Sequence, residues 1–198
     1  MNSYKQSPFS NISPVVKNLL IINGIFYLAT MLFMKDGHSI LIEYLGVFYF
    51  DSPYFRIWQP ITYMFMHSDQ SFFHILFNMF ALFSFGTSLE YVLGSKRFLN
   101  FYLITGLGAL ALQMVVQAYE VHAIAGSITL NLETFASANA ADVNTIRQIY
   151  MAPMVGASGA IFGVLVAFAR NGIALQNRTA SLCRLTLMTK GQDHALHP

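Results

Sequence analysis

The sequence predicts an all-α fold, a polytopic bundle of transmembrane helices. Of its 198 residues, 55% are hydrophobic and 10% are charged, and the mean hydropathy is +0.51. Soluble domains carry about 25% charged residues. Three runs free of Asp, Glu, Lys and Arg are long enough to cross a bilayer, which takes about 17–25 residues of helix; they cover residues 18–34, 70–89 and 98–119. A fourth run, 148–169, can span if Pro153 precedes its helix.

Buried helices of a soluble domain are the alternative for any one of these runs. Three or four of them in a chain this short favour the membrane. Lys5 and Lys17 precede the first run, as in a secretory signal, but no small-residue cleavage site follows it. We therefore interpret the first run as a retained membrane anchor.

The distribution of basic residues predicts the orientation, because Lys and Arg near span ends collect on the cytoplasmic side. With a cytoplasmic N-terminus, eight basic residues lie inside and three outside. The inner residues are Lys5, Lys17, Lys96, Arg97, Arg170, Arg178, Arg184 and Lys190, and the outer residues are Lys35, Arg56 and Arg147. We expect a cytoplasmic N-terminus and a lipid bilayer as the surroundings.

Charge and cysteine content exclude several other classes of function. A net charge of +2, scattered along the chain, does not favour a nucleic-acid partner. Cys183 is the only cysteine, which excludes an internal disulfide and a thiolate cluster. His67 and His74 lack the spacing and the acidic companion of a zinc site. We expect no nucleic acid, no metal and no organic cofactor.

The chain divides into three predicted parts: a polar lead-in at residues 1–14, a membrane domain at 15–169 and a polar tail at 170–198 that offers no fifth span. Residues 39–50 are apolar and aromatic but too short to span, so we expect a loop in the outer membrane interface. Residues 120–148 predict a polar, Ala-rich external connection.

Ser158 is the candidate nucleophile. It stands in Gly156-Ala-Ser158-Gly159, where the external loop becomes a membrane helix. The unpaired N–H groups and the positive dipole end of a first helical turn suit an anionic tetrahedral intermediate. Helix packing through Gly159 and Gly163, a G-x-x-x-G pair, is the alternative explanation. The motif is not the soluble hydrolase elbow, because Ala160 replaces its second glycine.

The length of the last run predicts that Ser158 is sunk below the membrane surface. About 14 residues separate Gly156 from Ala169, or roughly 21 Å of helix against a hydrocarbon core of about 30 Å. Hydrolysis at that depth requires a water-filled cavity next to the serine.

His74 and Asn78 form the second candidate element. Their i, i+4 spacing places both on one helix face, and polar side chains within a membrane helix mark functional sites by default. They are candidate oxyanion donors together with the Ser158 backbone, or alternatively an interhelical hydrogen bond. We expect a structural role for His67, and for Glu90 a hydrogen-bonded carboxylate at a helix turn.

Taken together, these residues resemble the rhomboid family of intramembrane serine proteases. The motifs that match are Trp58-Gln-Pro-Ile-Thr, Phe65-Met-His67, His74-Ile-Leu-Phe-Asn78, Gly86-x3-Glu90-x3-Gly94 and Gly156-Ala-Ser158-Gly159. The resemblance implies a six-helix core, of which about four helices are present here. It also implies that the serine attacks peptide bonds of transmembrane substrates, with His74, Asn78 and Gly156 at the oxyanion. Residues 39–50 resemble the family's membrane-embedded first loop, and the expected location is a bacterial plasma membrane.

One departure concerns the general base, which in this family is a histidine in an H-x-x-G setting on the sixth helix. The downstream histidines, His194 and His197, lie in the polar tail, and neither takes over that role. A serine without its base is a weak nucleophile. We therefore expect a truncated or frame-altered chain of doubtful activity, in which Gly159 and Gly163 lack their partner helix. Two alternatives stay open: an inactive relative that binds transmembrane helices, and a transporter fragment suggested by His74 and Asn78.

Overall fold

A computed structural model describes residues 12–35, 37–68, 72–130 and 139–172. Within these ranges, three helical segments are long and apolar enough to cross a membrane. They are α1 (Pro14–Leu32), the segment Phe72–Leu93, and α6 (Ser95–Ala125). A further helix, α8, begins at residue 158 and is helical to residue 172, where the described residues end. The predicted all-α transmembrane bundle is confirmed.

The second span is divided by a wider turn. It consists of α4 (Phe72–Ala81), a five-residue π-helical turn (Leu82–Gly86) and α5 (Thr87–Leu93). Both this span and α6 extend past the predicted ranges, because charged residues at their ends are helical too: Glu90 lies in α5, and Lys96 lies in α6. Membrane helices extend into the headgroup region, where charge is tolerated.

Glu90 is a hydrogen-bonded carboxylate, as predicted, and it holds the N-terminus of α1. Its carboxylate accepts hydrogen bonds from the N–H groups of Val15 (3.1 Å) and Val16 (2.9 Å), and from the hydroxyl of Ser95 (2.6 Å). The first N–H groups of a helix have no intrahelical partner, and a carboxylate there also complements the dipole. The start of α1, the end of α5 and the start of α6 therefore lie at one face of the bundle.

The segment between α1 and α4 contains more regular structure than the loop predicted for residues 39–50, so the loop assignment is corrected. Its position at the outer membrane interface stays a prediction. The segment contains a two-residue hairpin (Met34–Lys35 with His38–Ser39), helix α2 (Ile40–Leu45), helix α3 (Gln59–Thr62) and a 3₁₀ turn (Tyr63–Phe65). Three apolar residues after α2 are completely or almost completely buried: Val47, Phe48 and Tyr49. The aromatic residues predicted to face the interface therefore partly serve as core.

The predicted external connection at residues 120–148 is also corrected. Helix α6 continues to Ala125, and a further helix, α7 (Ala140–Met151), occupies the end of this range. The Asn139 side chain caps α7 by accepting hydrogen bonds from two N–H groups of its first turn, at 3.0 Å each. One face of α7 is buried against Tyr49 and α6. Its mixed composition hides this amphipathic pattern.

Helix α8 packs against α6 through its small residues. A Cβ atom on Gly159 would stand 2.5 Å from the Cβ of Ala109, and one on Gly163 would stand 2.7 Å from that of Thr105. The two glycines thus allow close helix contact. The expectation that they lack a partner is wrong, because α6 supplies it. The condition on Pro153 is confirmed, since α8 begins after it.

Candidate active site

Ser158 occupies the first turn of α8. The first intrahelical hydrogen bond runs from the N–H of Ile161 to the carbonyl of Ala157 (3.0 Å). The N–H groups of Ser158, Gly159 and Ala160 therefore precede the helical ladder and point out of its N-terminus. The Ser158 side chain is exposed within the described structure. A hydroxyl and unpaired N–H groups thus share one open helix end.

Gly156 lies between His74 and Ser158. A Cβ atom on Gly156 would stand 3.3 Å from Cε1 and 3.4 Å from Nε2 of His74, and 3.5 Å from Oγ of Ser158. The imidazole and the hydroxyl therefore flank one small space that only a glycine leaves open. The Gly156 φ of +130° is also a conformation that side chains rarely adopt. Three of the four predicted site residues, His74, Gly156 and Ser158, thus lie close together. In the sequence, His74 precedes α6, and it is separated from Gly156 by 82 positions and from Ser158 by 84.

The Gly156 N–H group is already engaged. It donates to the carbonyl of Tyr63 at 3.0 Å. The hydroxyl of Tyr63 in turn donates to the carbonyl of Gly106 on α6 at 2.7 Å. In this conformation Gly156 offers space and not an N–H donor. The donors left for an anion are the first-turn N–H groups of α8 and the side chains of α4.

Asn78 lies one helical turn after His74 on α4, and its side chain is buried. Among the described residues, its Nδ2 has no hydrogen-bond partner. A buried amide donor without a partner costs about 1–3 kcal/mol. A ligand or a water molecule that accepted this hydrogen bond would remove that cost. Asn78 is thus a free donor on the helix that carries His74.

The ring of His67 packs against the ring of His74. The His67 ring is completely buried and lies edge-on to the His74 ring, with centroids 5.6 Å apart. Burial, and secondarily the neighbouring His74, lowers the pKa of His67 to about 4. The ring is therefore neutral at physiological pH. This placement agrees with the structural role predicted for His67.

A cavity of about 360 Å³ opens beside Ser158. Its walls come from the loop before α8, from the first turn of α8 and from α6; the lining residues are Tyr63, Ala109, Leu110, Gln113, Met154, Val155, Gly156, Ser158 and Gly159. The sequence predicts a water-filled cavity at the serine. A cavity lies there, and its filling by water stays a prediction. Gln113 adds an amide that the sequence did not single out.

The loop before α8 is held by the segment between α1 and α4. Val47 and Met154 exchange two backbone hydrogen bonds, of 2.9 and 2.8 Å. A Cβ on Gly46 would stand 2.9 Å from the Cβ of Pro153, so the two chain segments touch. This contact was not predictable from the sequence, because a single bridge between distant loops leaves no periodic pattern.

The side chain of Gln59 stabilises the segment between α1 and α4 by hydrogen bonds to its backbone. This side chain is completely buried; Oε1 accepts from the N–H of Arg56 at 2.9 Å, and Nε2 donates to the carbonyl of Tyr54 at 3.1 Å. Thr62 donates to the carbonyl of Leu45 at 2.6 Å. These two polar residues stand in the Trp58-Gln-Pro-Ile-Thr motif, which the sequence singled out without assigning them a role. Their structural role could have been inferred from the sequence, because they are polar residues within a largely apolar stretch.

The fold and the site define a multi-pass membrane protein with a serine at the start of α8, next to a histidine of the second span. The chain belongs to the rhomboid family: the family described as Rhomboid domain matches residues 54–190. It is 31% identical over 110 residues to Rhomboid protease AarA of Providencia stuartii, covering 56% of this chain and 32% of that protein. It is 36% identical over 102 residues to Rhomboid protein 1, mitochondrial, of Saccharomyces cerevisiae, covering 51% of this chain and 22% of that protein. The chain thus spans about a third or less of these relatives.

Proposed function

We propose that this chain is a rhomboid-type intramembrane serine endopeptidase that cleaves peptide bonds in or near transmembrane segments, with Ser158 as nucleophile. The observation that carries the proposal is the meeting of the Ser158 hydroxyl and the His74 imidazole across Gly156, beside a cavity. Membership of the rhomboid family supports it, as does similarity to a relative named as a protease.

The chemistry follows from this arrangement. Oγ of Ser158 attacks the carbonyl carbon of the substrate and releases its proton to water in the cavity, and the carbonyl oxygen becomes an anion. In this proposal, the N–H groups at the start of α8 and the side chains of His74 and Asn78 stabilise that charge. Collapse of this intermediate breaks the peptide C–N bond, and the amine leaves with a proton from water. A second water from the cavity then hydrolyses the acyl-enzyme and returns a proton to Oγ. No metal or organic cofactor takes part in the proposal.

The proposal assigns no general base. Histidines His194 and His197 lie outside the described residues, and neither stands in the H-x-x-G setting of the family. Loss of a triad member in serine proteases leaves only a small fraction of the catalysis, supplied by the oxyanion site and binding. We therefore expect slow turnover from this chain as given.

The proposed orientation places the N-terminus in the cytoplasm of a bacterial cell, with the chain in the plasma membrane. The excess of basic residues at the ends of the spans supports the orientation. Because Glu90 joins the start of α1 to the end of α5, both belong to the proposed cytoplasmic face. Substrates would then reach Ser158 from within the bilayer.

Labelling by a fluorescent fluorophosphonate tests the proposal, since this reagent reacts with activated serines. We expect slow labelling of the wild-type chain in detergent or nanodiscs and none after Ser158→Ala. Ser127→Ala, which removes an exposed hydroxyl far from α8 in sequence, should label like wild type. Wild-type chain that stays unlabelled would refute the catalytic proposal and favour the alternative of an inactive relative that binds transmembrane helices.

A further inference from the structure

Another cavity lies in the segment between α1 and α4. Its volume is about 240 Å³, and its lining residues are Ile40, Glu43, Tyr44, Tyr54, Arg56 and Gln59. One wall comes from α2, and the other comes from the turn that leads into α3. It shares no lining residue with the cavity beside Ser158. A small space that holds one carboxylate and one guanidinium is therefore built into this loop.

The guanidinium of Arg56 is held in place. Its Nη1 donates to the carbonyls of Pro53 and Phe55, at 2.8 Å each. Since Arg has five N–H donors, these contacts leave others for a ligand. The neighbouring backbone is fixed by the buried Gln59, which binds the Arg56 N–H. Arg56 thus presents preorganised N–H donors for an anion at the cavity wall.

The surface around the cavity is apolar and faces outward. Ile57 is 86% exposed, Ile61 46% and Trp58 37%. In a membrane protein such residues contact lipid chains, and Trp and Tyr concentrate at the level of the headgroups. Trp58 packs against Tyr44, with ring centroids 5.3 Å apart. A charged cavity is therefore bordered by a surface suited to acyl chains.

We propose that this cavity binds the headgroup of a zwitterionic phospholipid, phosphatidylethanolamine. The phosphate lies against Arg56, and the ammonium lies against Glu43. Charge-assisted hydrogen bonds favour a primary ammonium over the choline group, which has no N–H to donate to the carboxylate. The Glu43 carboxylate disfavours anionic headgroups. The bound lipid would steady the segment that holds Val47 against Met154.

Trp58 reports on binding directly, because it is the only tryptophan in the chain. The protein is placed in nanodiscs of phosphatidylcholine that contain small fractions of brominated phosphatidylethanolamine, phosphatidylcholine or phosphatidylglycerol, and quenching of Trp58 fluorescence is measured. We expect brominated phosphatidylethanolamine to associate about three- to tenfold more strongly than the other two, the factor that one or two exposed charged contacts supply. The measurement does not depend on protease activity.

Variants separate the site from general surface charge. Glu43→Gln should remove the preference for ethanolamine over choline, and Glu43→Lys should reverse it in favour of phosphatidylglycerol. The matched controls Glu120→Gln and Arg147→Gln change charges outside this cavity and should keep the wild-type preference. Equal quenching by all three lipids, a wild-type preference for phosphatidylglycerol, or a preference retained in Glu43→Lys would each overturn the proposal.

Discussion

Gly156→Ala is the substitution whose effect the structure defines best. The new methyl group would stand 3.3 Å from the His74 ring and 3.5 Å from Oγ of Ser158. It would thus fill the space between the two groups. It would also require an L side chain at a φ of +130°, and strain of this kind costs about 1–3 kcal/mol.

That strain sets the expected magnitude. If the loop moves to relieve it, Ser158 and His74 lose their relative positions, and about 1–3 kcal/mol corresponds to a rate decrease of about 5- to 150-fold. The methyl group blocks substrate in addition, so we expect labelling by fluorophosphonate to slow at least about tenfold. The assay is the second-order labelling rate, measured on protein whose helix content is unchanged by circular dichroism.

Gly108→Ala is the matched control. A Cβ on Gly108 meets nothing within 4 Å, and alanine is a better helix former than glycine by about 1 kcal/mol. This variant should label at the wild-type rate and be at least as stable. If Gly156→Ala also labels within about twofold of wild type, the loop is not constrained as described, and the reasoning from Gly156 is refuted.

Other predictions concern stability. Glu90→Ala should lower the free energy of unfolding by about 1–3 kcal/mol, because it leaves N–H groups of α1 without partners; thermal unfolding in detergent measures this, and the exposed Glu120→Ala should show no loss. Gly163→Leu should destabilise by about 1–3 kcal/mol through overpacking against α6, whereas the exposed Phe162→Leu should be neutral. Because burial lowers the pKa of His67 from 6.5 to about 4, the unfolded chain binds more protons between these values; stability should be full above pH 6.5 and fall as the pH drops toward 4. His67→Gln should weaken that dependence, and an unchanged pH profile would contradict the assignment.

The sequence predicted the spans well because a hydrocarbon core excludes charge over a fixed length. The ends of those spans were less predictable. Glu90 and Lys96 are helical but charged, so a criterion based on charge-free runs ends before them. Helix α7 was missed for a different reason: its apolar face is narrow, and the helix is stabilised by a cap at Asn139 and by contacts with distant residues.

The residues of the candidate site were predictable one by one, but their relative positions in space were not. His74 and Ser158 were selected because polar groups are costly in membrane helices and because small residues surround the serine. The position of Gly156 between them depends on the packing of α4 against the loop before α8, which no local pattern encodes. Similarly, the partner of Gly159 and Gly163 became evident only when α6 was seen to present Ala109 and Thr105.

The contact of Glu90 with the start of α1 has a mechanical consequence. A membrane helix usually adapts to bilayers of different thickness by tilting or kinking on its own. Here the carboxylate fastens α1 to the junction of α5 and α6 at one depth. A thinner or thicker bilayer must then be accommodated by tilting the helices together. The relative heights of α1, α5 and α6 are thus set by these hydrogen bonds and not by the surrounding lipid.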